Sequence, residues 1–393
     1  MPLTTAPRLL FYVQHLLGIG HIKRAALLAR SWCEAGFDVV IASGGEAVAG
    51  IAFGRARLHQ LPPLRAADSQ FSGLVDGRGQ APDEAFKGRR RDQLLALLAQ
   101  ERPDILVLES YPFGRRQLRW ELLPLLQAAA AQRPRPLILS SLRDILQQRR
   151  PEREAESLAL TARYFDHLLV HGDAAFIPLE QSCPAIQPQS DKLIYTGYVT
   201  DSGLPPYQPG ATGEVLVSAG GGAVGYPLMA AALAARPLSP LAAHRWRFLL
   251  GPNLSAEECR QLRRQAGEGV IMEPVRPDFP ALLSRATLSI SQGGYNTLMD
   301  LLGVGCPMLL VPFEGDGETE QLTRCERLQR AGIGTLVRER DLSANALASA
   351  ITRASVQSTP SLSLLRDGAA TSARQLWALW RARQRGEGAH AER

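Results

Sequence analysis

The sequence predicts an α/β protein of two domains, each a parallel sheet wrapped in helices, and three observations carry that prediction. At 393 residues the chain is too long for one ordinary core and suits two units of roughly 150 to 200 residues. Short apolar runs alternate with helix-periodic segments along nearly the whole length, the pattern of repeated strand–helix–strand units. The stretch Thr200 to Gly213 (TDSGLPPYQPGATG) is dense in proline and glycine and has no hydrophobic periodicity. It reads as a linker, with residues 1–200 before it and residues 214–360 after it.

The first domain opens on Arg8 to Gln14 (RLLFYVQ), a buried-strand candidate followed by the loop HLLGIGH. A helix is expected from about Ile22 to Ala35, closed by Gly36, and Asp38 to Ser43 is the next strand. Further strands are expected at Ile105 to Glu109, Pro136 to Leu142, His167 to His171 and Leu193 to Val199, with helices at Gln117 to Gln132 and Glu152 to Phe165. Ala66 to Phe86 is polar and glycine-rich where a short connection would serve, so it reads as a disordered or functional loop. The basic run Lys87 to Arg91 (KGRRR) reads as the solvated start of a helix.

After the linker, strands are expected at Glu214 to Ser218, Trp246 to Leu250, Val270 to Glu273, Thr287 to Ser291, Pro307 to Val311 and Thr335 to Val337. Ser361 to Arg385, within a closing segment 361–393, is a last helical pattern that could pack back across both domains.

Composition narrows the function class. With 45% hydrophobic and 21% charged residues the chain is an ordinary globular protein. Its net charge is +6, and Lys occurs only at positions 23, 87 and 192, so the basic balance is mostly arginine bias with some attraction for anions or membrane surfaces. Nucleic acid is not an expected partner. Cys33, Cys183, Cys259, Cys306 and Cys325 are scattered without a CxxC pair, which argues for reduced thiols in the cytoplasm. No run reaches the ~20 apolar residues of a membrane span.

Three glycine turns follow strand candidates. Gly18 and Gly20 lie in the first, Gly220, Gly221 and Gly222 in the second (SAGGGAVGY), and Gly293 and Gly294 in the third. The second matches G-x-G-x-x-G, yet no Asp or Glu occurs between Tyr226 and Ala256 to hold an adenosine ribose, so a dinucleotide site is not supported. No Lys-Ser or Lys-Thr follows the glycines, which removes a Walker loop. Gly293 and Gly294 let backbone N–H groups approach an anion at the start of a helix. Asp300 lies one helical turn after Asn296, and Glu314, Asp316, Glu318 and Glu320 crowd the next loop. Those carboxylates suit sugar hydroxyls better than a diphosphate, or they are a solvated loop before a helix. Their spacing is not that of a fixed calcium loop, and no metal is expected.

The segment SQGGYNTLMDLLGVGCPMLLVPF with EQLTRCERLQRAGIG resembles the nucleotide-sugar motif of GT-B glycosyltransferases. It is most similar to the family of the bacterial peptidoglycan N-acetylglucosaminyltransferase and the plant galactolipid synthases. GIGH and VSAGGGAVG resemble that family's two other glycine loops. The resemblance implies two Rossmann-like domains facing across a cleft, the first for an acceptor and the second for a nucleotide-diphosphate sugar, with no cofactor. It implies that Gly293 and Gly294 meet the diphosphate, together with the loop at Gly220 and the helix start at Asn296 and Thr297. Asp300, one methylene shorter than the glutamate usual there, would hold the ribose, and Gln321 the sugar. Glu320 stands where the peptidoglycan enzyme has a second glutamine, which leaves the sugar open, and UDP rests on kinship alone.

Inverting transfer needs a base for the acceptor hydroxyl and stabilisation of the departing diphosphate. His21, at the end of the first glycine loop, is the first choice for the base, with Glu109 and Asp144 as the other candidates. The expected function is therefore metal-independent inverting transfer to a glycan, lipid-linked or small-molecule acceptor. A nonhydrolysing nucleotide-sugar 2-epimerase and a non-catalytic nucleotide-sugar-binding subunit are the alternatives. The expected location is the cytoplasm, with peripheral contact at the inner face of the membrane left open.

Overall fold

The computed structural model describes residues 6–16, 18–68, 73–147, 150–201, 203–208, 213–220, 225–251, 254–315, 319–356 and 364–391. The chain divides into two compact units, Met1–Val199 with Leu364–Arg393, and Thr200–Ser363.

In the first unit the strands are β1 (Arg8–Val13), β2 (Asp38–Ser43), β3 (Arg57–Gln60), β4 (Leu64–Ala66), β5 (Leu74–Asp76), β6 (Ile105–Glu109), β7 (Leu137–Arg143), β8 (His167–His171) and β9 (Leu193–Tyr195). The helices are α1 (Gly20–Glu34), α2 (Glu84–Glu101), α3 (Arg119–Ala131) and α4 (Pro151–Tyr164). Seven of these strands form a sheet in the order β3-β2-β1-β6-β7-β8-β9, and every pairing in it is parallel. Both faces are covered, as a parallel sheet requires. Alternate residues of β1 separate accordingly: Leu10 and Tyr12 pack with Leu94, Leu98, Leu122 and Leu126 of α2 and α3, while Leu9, Phe11 and Val13 pack with Leu28 and Trp32 of α1.

Several boundaries differ from those read in the sequence. α1 begins at Gly20, not Ile22, so His21 is in the first turn of the helix rather than in the loop. The strand expected over Leu193 to Val199 stops at Tyr195, and Gly197 then turns with φ +83°. Strands β3, β4 and β5 have no clear apolar alternation in the sequence, and β5, inside the stretch expected to be a loop, pairs antiparallel with β4 at its start. Of that stretch, residues 69–72 lie outside the described residues. The basic run is not a solvated helix start: α2 begins at Glu84, capped by Asp83 accepting from Phe86 N at 2.7 Å, and Arg90 is fully buried. Arg90 donates to Glu121 Oε2 at 2.7 Å and to Gln14 Oε1 at 2.7 Å, and Tyr12 donates to Glu121 Oε1 at 2.6 Å.

The second unit holds β10 (Glu214–Ser218), β11 (Arg245–Leu250), β12 (Val270–Pro274), β13 (Ala286–Ser291), β14 (Met308–Leu310) and β15 (Thr335–Leu336). Its helices are α5 (Tyr226–Ala235), α6 (Ala256–Gln265), α7 (Phe279–Leu283), α8 (Tyr295–Val304), α9 (Glu320–Arg330) and α10 (Ala344–Val356). The sheet order is β12-β11-β10-β13-β14-β15, again parallel throughout.

The last helix, α11 (Gly368–Ala391), belongs to the first unit. It packs on α1: Trp32 Nε1 donates to Ser372 Oγ at 2.8 Å, and Trp377 Nε1 donates to the Ala35 carbonyl at 2.8 Å. Among the described residues no helix is long and apolar enough to cross a membrane.

Candidate active site

In an open parallel sheet the strand order reverses at one place, and ligands gather beyond the carboxyl ends of the two strands there. The first unit reverses between β1 and β6, the second between β10 and β13. The glycine turns singled out in the sequence follow β1, β10 and β13, so each sits at a reversal.

In the first unit His21 and Glu109 meet across the reversal. His21 Nδ1 lies 2.6 Å from Glu109 Oε1, and the His21 side chain keeps about a fifth of its surface exposed (21%) while Glu109 keeps 1%. The two candidate bases His21 and Glu109 are thus one hydrogen-bonded pair, with Glu109 its buried member. Its Oε1 also accepts from Arg24 Nη2 at 2.5 Å and from Ser110 Oγ at 2.8 Å. Arg115 Nη2 approaches Oε2 at 3.5 Å and its Nε donates to the Gln14 carbonyl at 2.7 Å. Ser110 and Arg115 adopt φ 64° and 60°, a left-handed backbone that is costly for residues with a β-carbon. Both strained residues direct a donor at Glu109.

Burial would raise the Glu109 pKa, but the His21, Arg115 and Arg24 groups outweigh it and hold the carboxyl well below the usual range. Burial pushes the His21 ring down to about 3, with Arg143 and Arg115 acting in the same direction and Glu109 opposing. The amino end of α1 also disfavours an imidazolium in its first turn. At neutral pH the ring is therefore uncharged. Ionised Glu109 only accepts, so Nδ1 carries the proton and Nε2 keeps its lone pair.

Asp144 is the third candidate base. It is fully buried beyond β7, where its Oδ2 accepts from the Tyr198 hydroxyl at 3.0 Å. A β-carbon on Gly172 would come within 2.5 Å of Asp144 Cβ, so Asp144 packs closely against the turn that follows β8. Of the acceptor-side glycines, Gly18 is exposed with open space around it and Gly20 is the first residue of α1.

In the second unit the loops after β10 and β13 lie side by side, since Gln292 N donates to the Ser218 carbonyl at 3.1 Å. Gly220 turns with φ +66°, and a β-carbon there would lie 3.4 Å from Thr297 Oγ1 in the first turn of α8. Gly221 and Gly222 lie outside the described residues. Gly294 is the N-cap of α8, no side chain caps it, and the space where its β-carbon would stand is open. Gly293 has a different reason to be glycine: a β-carbon would fall 2.3 Å from Cys325 Sγ of α9. Asn296, Thr297 and Asp300 follow along α8, each partly exposed.

The acidic residues of this unit are more committed than the sequence suggested. Glu320 Oε1 accepts from buried Arg324 Nη2 at 2.9 Å, an i,i+4 pair along α9. Arg324 in turn stacks over Tyr295 at 5.4 Å. Glu314 is tied to Arg338 and accepts from Glu339 N at 3.0 Å. Asp316 and Glu318 lie outside the described residues. Gln321 Oε1 accepts from Phe313 N at 3.2 Å, which fixes the amide group and leaves its N–H donors directed elsewhere.

Residues the sequence reading missed are Arg24, Ser110 and Arg115. The spacing of His21 and Arg24 on one helix face was the available signal. Nothing local marks Arg115, which reaches Glu109 through an unusual backbone turn.

Residues 216–369 match the glycosyltransferase family 28 C-terminal domain. A UDP-N-acetylglucosamine--N-acetylmuramyl-(pentapeptide) pyrophosphoryl-undecaprenol N-acetylglucosamine transferase of Burkholderia orbicola is 40% identical over 83 residues, 21% of this chain and 23% of that protein. The match thus spans about a quarter of the curated relatives it reaches. The crystal structure of MurG from Acinetobacter baumannii superposes with a TM-score of 0.56 at 14% identity, over 94% of this chain and 95% of that one. A putative UDP-N-acetylglucosamine 2-epimerase from Listeria monocytogenes superposes with a TM-score of 0.59 at 15% identity, over 95% and 96%. Similarity at that level establishes fold and not reaction. The chain has the GT-B fold of two Rossmann-like domains, and its residues 216–369 match the glycosyltransferase family 28 C-terminal domain.

Proposed function

We propose that this protein is an inverting, metal-independent glycosyltransferase that moves a sugar from a nucleotide diphosphate to an acceptor hydroxyl. The observation that carries the reading is the His21–Glu109 pair, a neutral imidazole with one nitrogen anchored to a buried carboxylate and the other available as a base. A UDP donor is favoured because the relatives named above act on or bear the name of UDP-N-acetylglucosamine.

In this reading His21 Nε2 takes the proton of the acceptor hydroxyl as its oxygen bonds to the anomeric carbon. The bond from that carbon to the diphosphate oxygen breaks on the opposite face, and the electron pair leaves with the nucleotide. Glu109 stabilises the imidazolium formed. The uncapped N–H groups at the start of α8, with the turn at Gly220, supply donors for the departing diphosphate, which is why no metal is invoked. Asp300 is assigned to the ribose and the Gln321 amide to the sugar. A lipid-linked acceptor would place the protein at a membrane surface.

Incubation with UDP, GDP and dTDP sugars, with and without EDTA, tests the reading. Nucleotide release unaffected by chelator is expected, and absence of both turnover and binding with every donor would sink it. Proton NMR of donor incubated alone separates transfer from 2-epimerisation, which would yield an epimer without acceptor. Donor binding with no turnover in any acceptor mixture would mark a binding subunit instead.

A further inference from the structure

We propose that Arg24 is a positioning residue that holds Glu109 as a carboxylate and so keeps the His21 ring uncharged, with Nε2 open to substrate. The proposal rests on the transfer reading above and concerns a residue that touches no substrate itself.

The placement is unusual. Arg24 stands three residues after His21, on the same face of α1, and both reach one oxygen of Glu109, at 2.5 Å and 2.6 Å. Arg24 and Glu109 each keep 1% of their side-chain surface. A fully buried ion pair is a weak source of stability, because desolvating two charges cancels most of their attraction. An apolar pair of similar volume would pack at least as well, so the charges point to a task beyond packing.

That task follows from the proton balance of the dyad. A buried carboxylate whose nearest donor is an imidazole attracts a proton onto that imidazole, and the base is then occupied before substrate arrives. A fixed guanidinium on the same oxygen satisfies the carboxylate's charge instead. The histidine then needs to donate only its Nδ1 proton, which selects the tautomer with Nε2 unprotonated. When Nε2 takes the acceptor proton, Glu109 is already ionised and aligned against the new positive charge.

The other charged and titratable groups facing the pair act in the same setting. Arg115 approaches Glu109 Oε2 at 3.5 Å from the loop after β6, and Arg143 at the end of β7 lowers the His21 pKa. His171 on β8 interacts electrostatically with both Arg24 and Glu109, and His15 after β1 with Arg115 and Glu109. Burial lowers both of those histidines, so at neutral pH they are uncharged bystanders. Arg24 is the cation seated on the oxygen that His21 uses.

The test is a histidine-labelled NMR titration of the full chain without substrate, His21 being assigned by its loss in His21→Gln. In the wild type the His21 ring is expected neutral at pH 7 with Nδ1 protonated. Arg24→Met and Arg24→Gln are expected to raise its titration midpoint by about one unit or more, and the acid limb of kcat/KM with it. Arg24→Lys, which keeps the charge, is expected to hold the midpoint within about half a unit of wild type. A midpoint unmoved in folded Met or Gln variants overturns the proposal, as does a Lys variant that shifts as far as Met. A charged wild-type ring at pH 7 overturns it whether or not the variants fold. Because the titration needs no turnover, loss of the transferase reading would leave this result standing, and an unmoved titration would leave that reading standing.

Discussion

His21 Nδ1 and Glu109 Oε1 are 2.6 Å apart, His21 in the first turn of the helix that follows β1 and Glu109 at the end of β6, two strands that neighbour each other where the sheet reverses its order. They are 88 positions apart in the chain, so the pair exists only in the folded first unit. Replacing His21 by Ala should lower kcat by about 10²–10⁴-fold, the range for losing a general base. Donor affinity, assigned to the second unit in the proposed function, should stay within about twofold of wild type. Steady-state rates beside calorimetric donor titration separate the two quantities.

The pH profile carries a second expectation. An ordinary histidine base would switch off as pH falls through its usual value near 6.5. The His21 ring, pushed down to about 3 by burial against the opposing pull of Glu109, stays unprotonated well below that. kcat/KM should therefore be flat from about pH 8 to about pH 5. An acid limb centred near 6.5 would show that the ring is not held as described.

Stability should respond to the same group. A histidine whose folded pKa lies below its unfolded value binds its proton more readily when unfolded. The unfolded state thus gains on the folded one as pH drops from about 6.5 toward about 3. The melting temperature of the first unit should fall across that window, and His21→Asn should flatten the fall.

The buried Arg90–Glu121 pair predicts a large single-site effect and a small double one. Glu121→Ala leaves a guanidinium stranded at 0% exposure and should destabilise the first unit by about 3–5 kcal/mol. Arg90→Met combined with Glu121→Leu removes both charges and should recover most of that loss. Urea unfolding followed by Trp32 fluorescence reads it.

Gly293 and Gly294 should part company on substitution. Gly293→Ala places a methyl 2.3 Å from Cys325 Sγ and should destabilise the second unit by about 1–3 kcal/mol. Adding Cys325→Ala removes the sulfur and should restore most of it. Gly294→Ala meets no atom within 4 Å, so its thermal stability should be near wild type. Any effect of that change should appear in donor affinity, measured by calorimetry.

Much of this was legible in the chain. The alternation of apolar runs and helical periods carried the fold because a parallel sheet buries both faces, which turns its strands into short apolar runs such as RLLFYV and ILVLE. The glycine turns stood out because each closes such a run. Short polar strands such as RLHQ were not legible, since edge pairing rather than periodicity makes them strands. Charge roles were the least legible. A sequence does not show that Arg90 in a basic run is buried or that Glu320 is claimed by Arg324. Nor does it show that Glu109 and His21, two candidate bases in the sequence, are hydrogen-bonded to each other.

The most direct test of the central claim is nucleotide release from a panel of nucleotide-diphosphate sugars, compared between wild type and His21→Ala, with donor binding measured on both. The account predicts turnover by the wild type with at least one donor, loss of about a hundredfold or more in the variant, and equal donor binding by the two. A His21→Ala protein that turns over donor at the wild-type rate would contradict it.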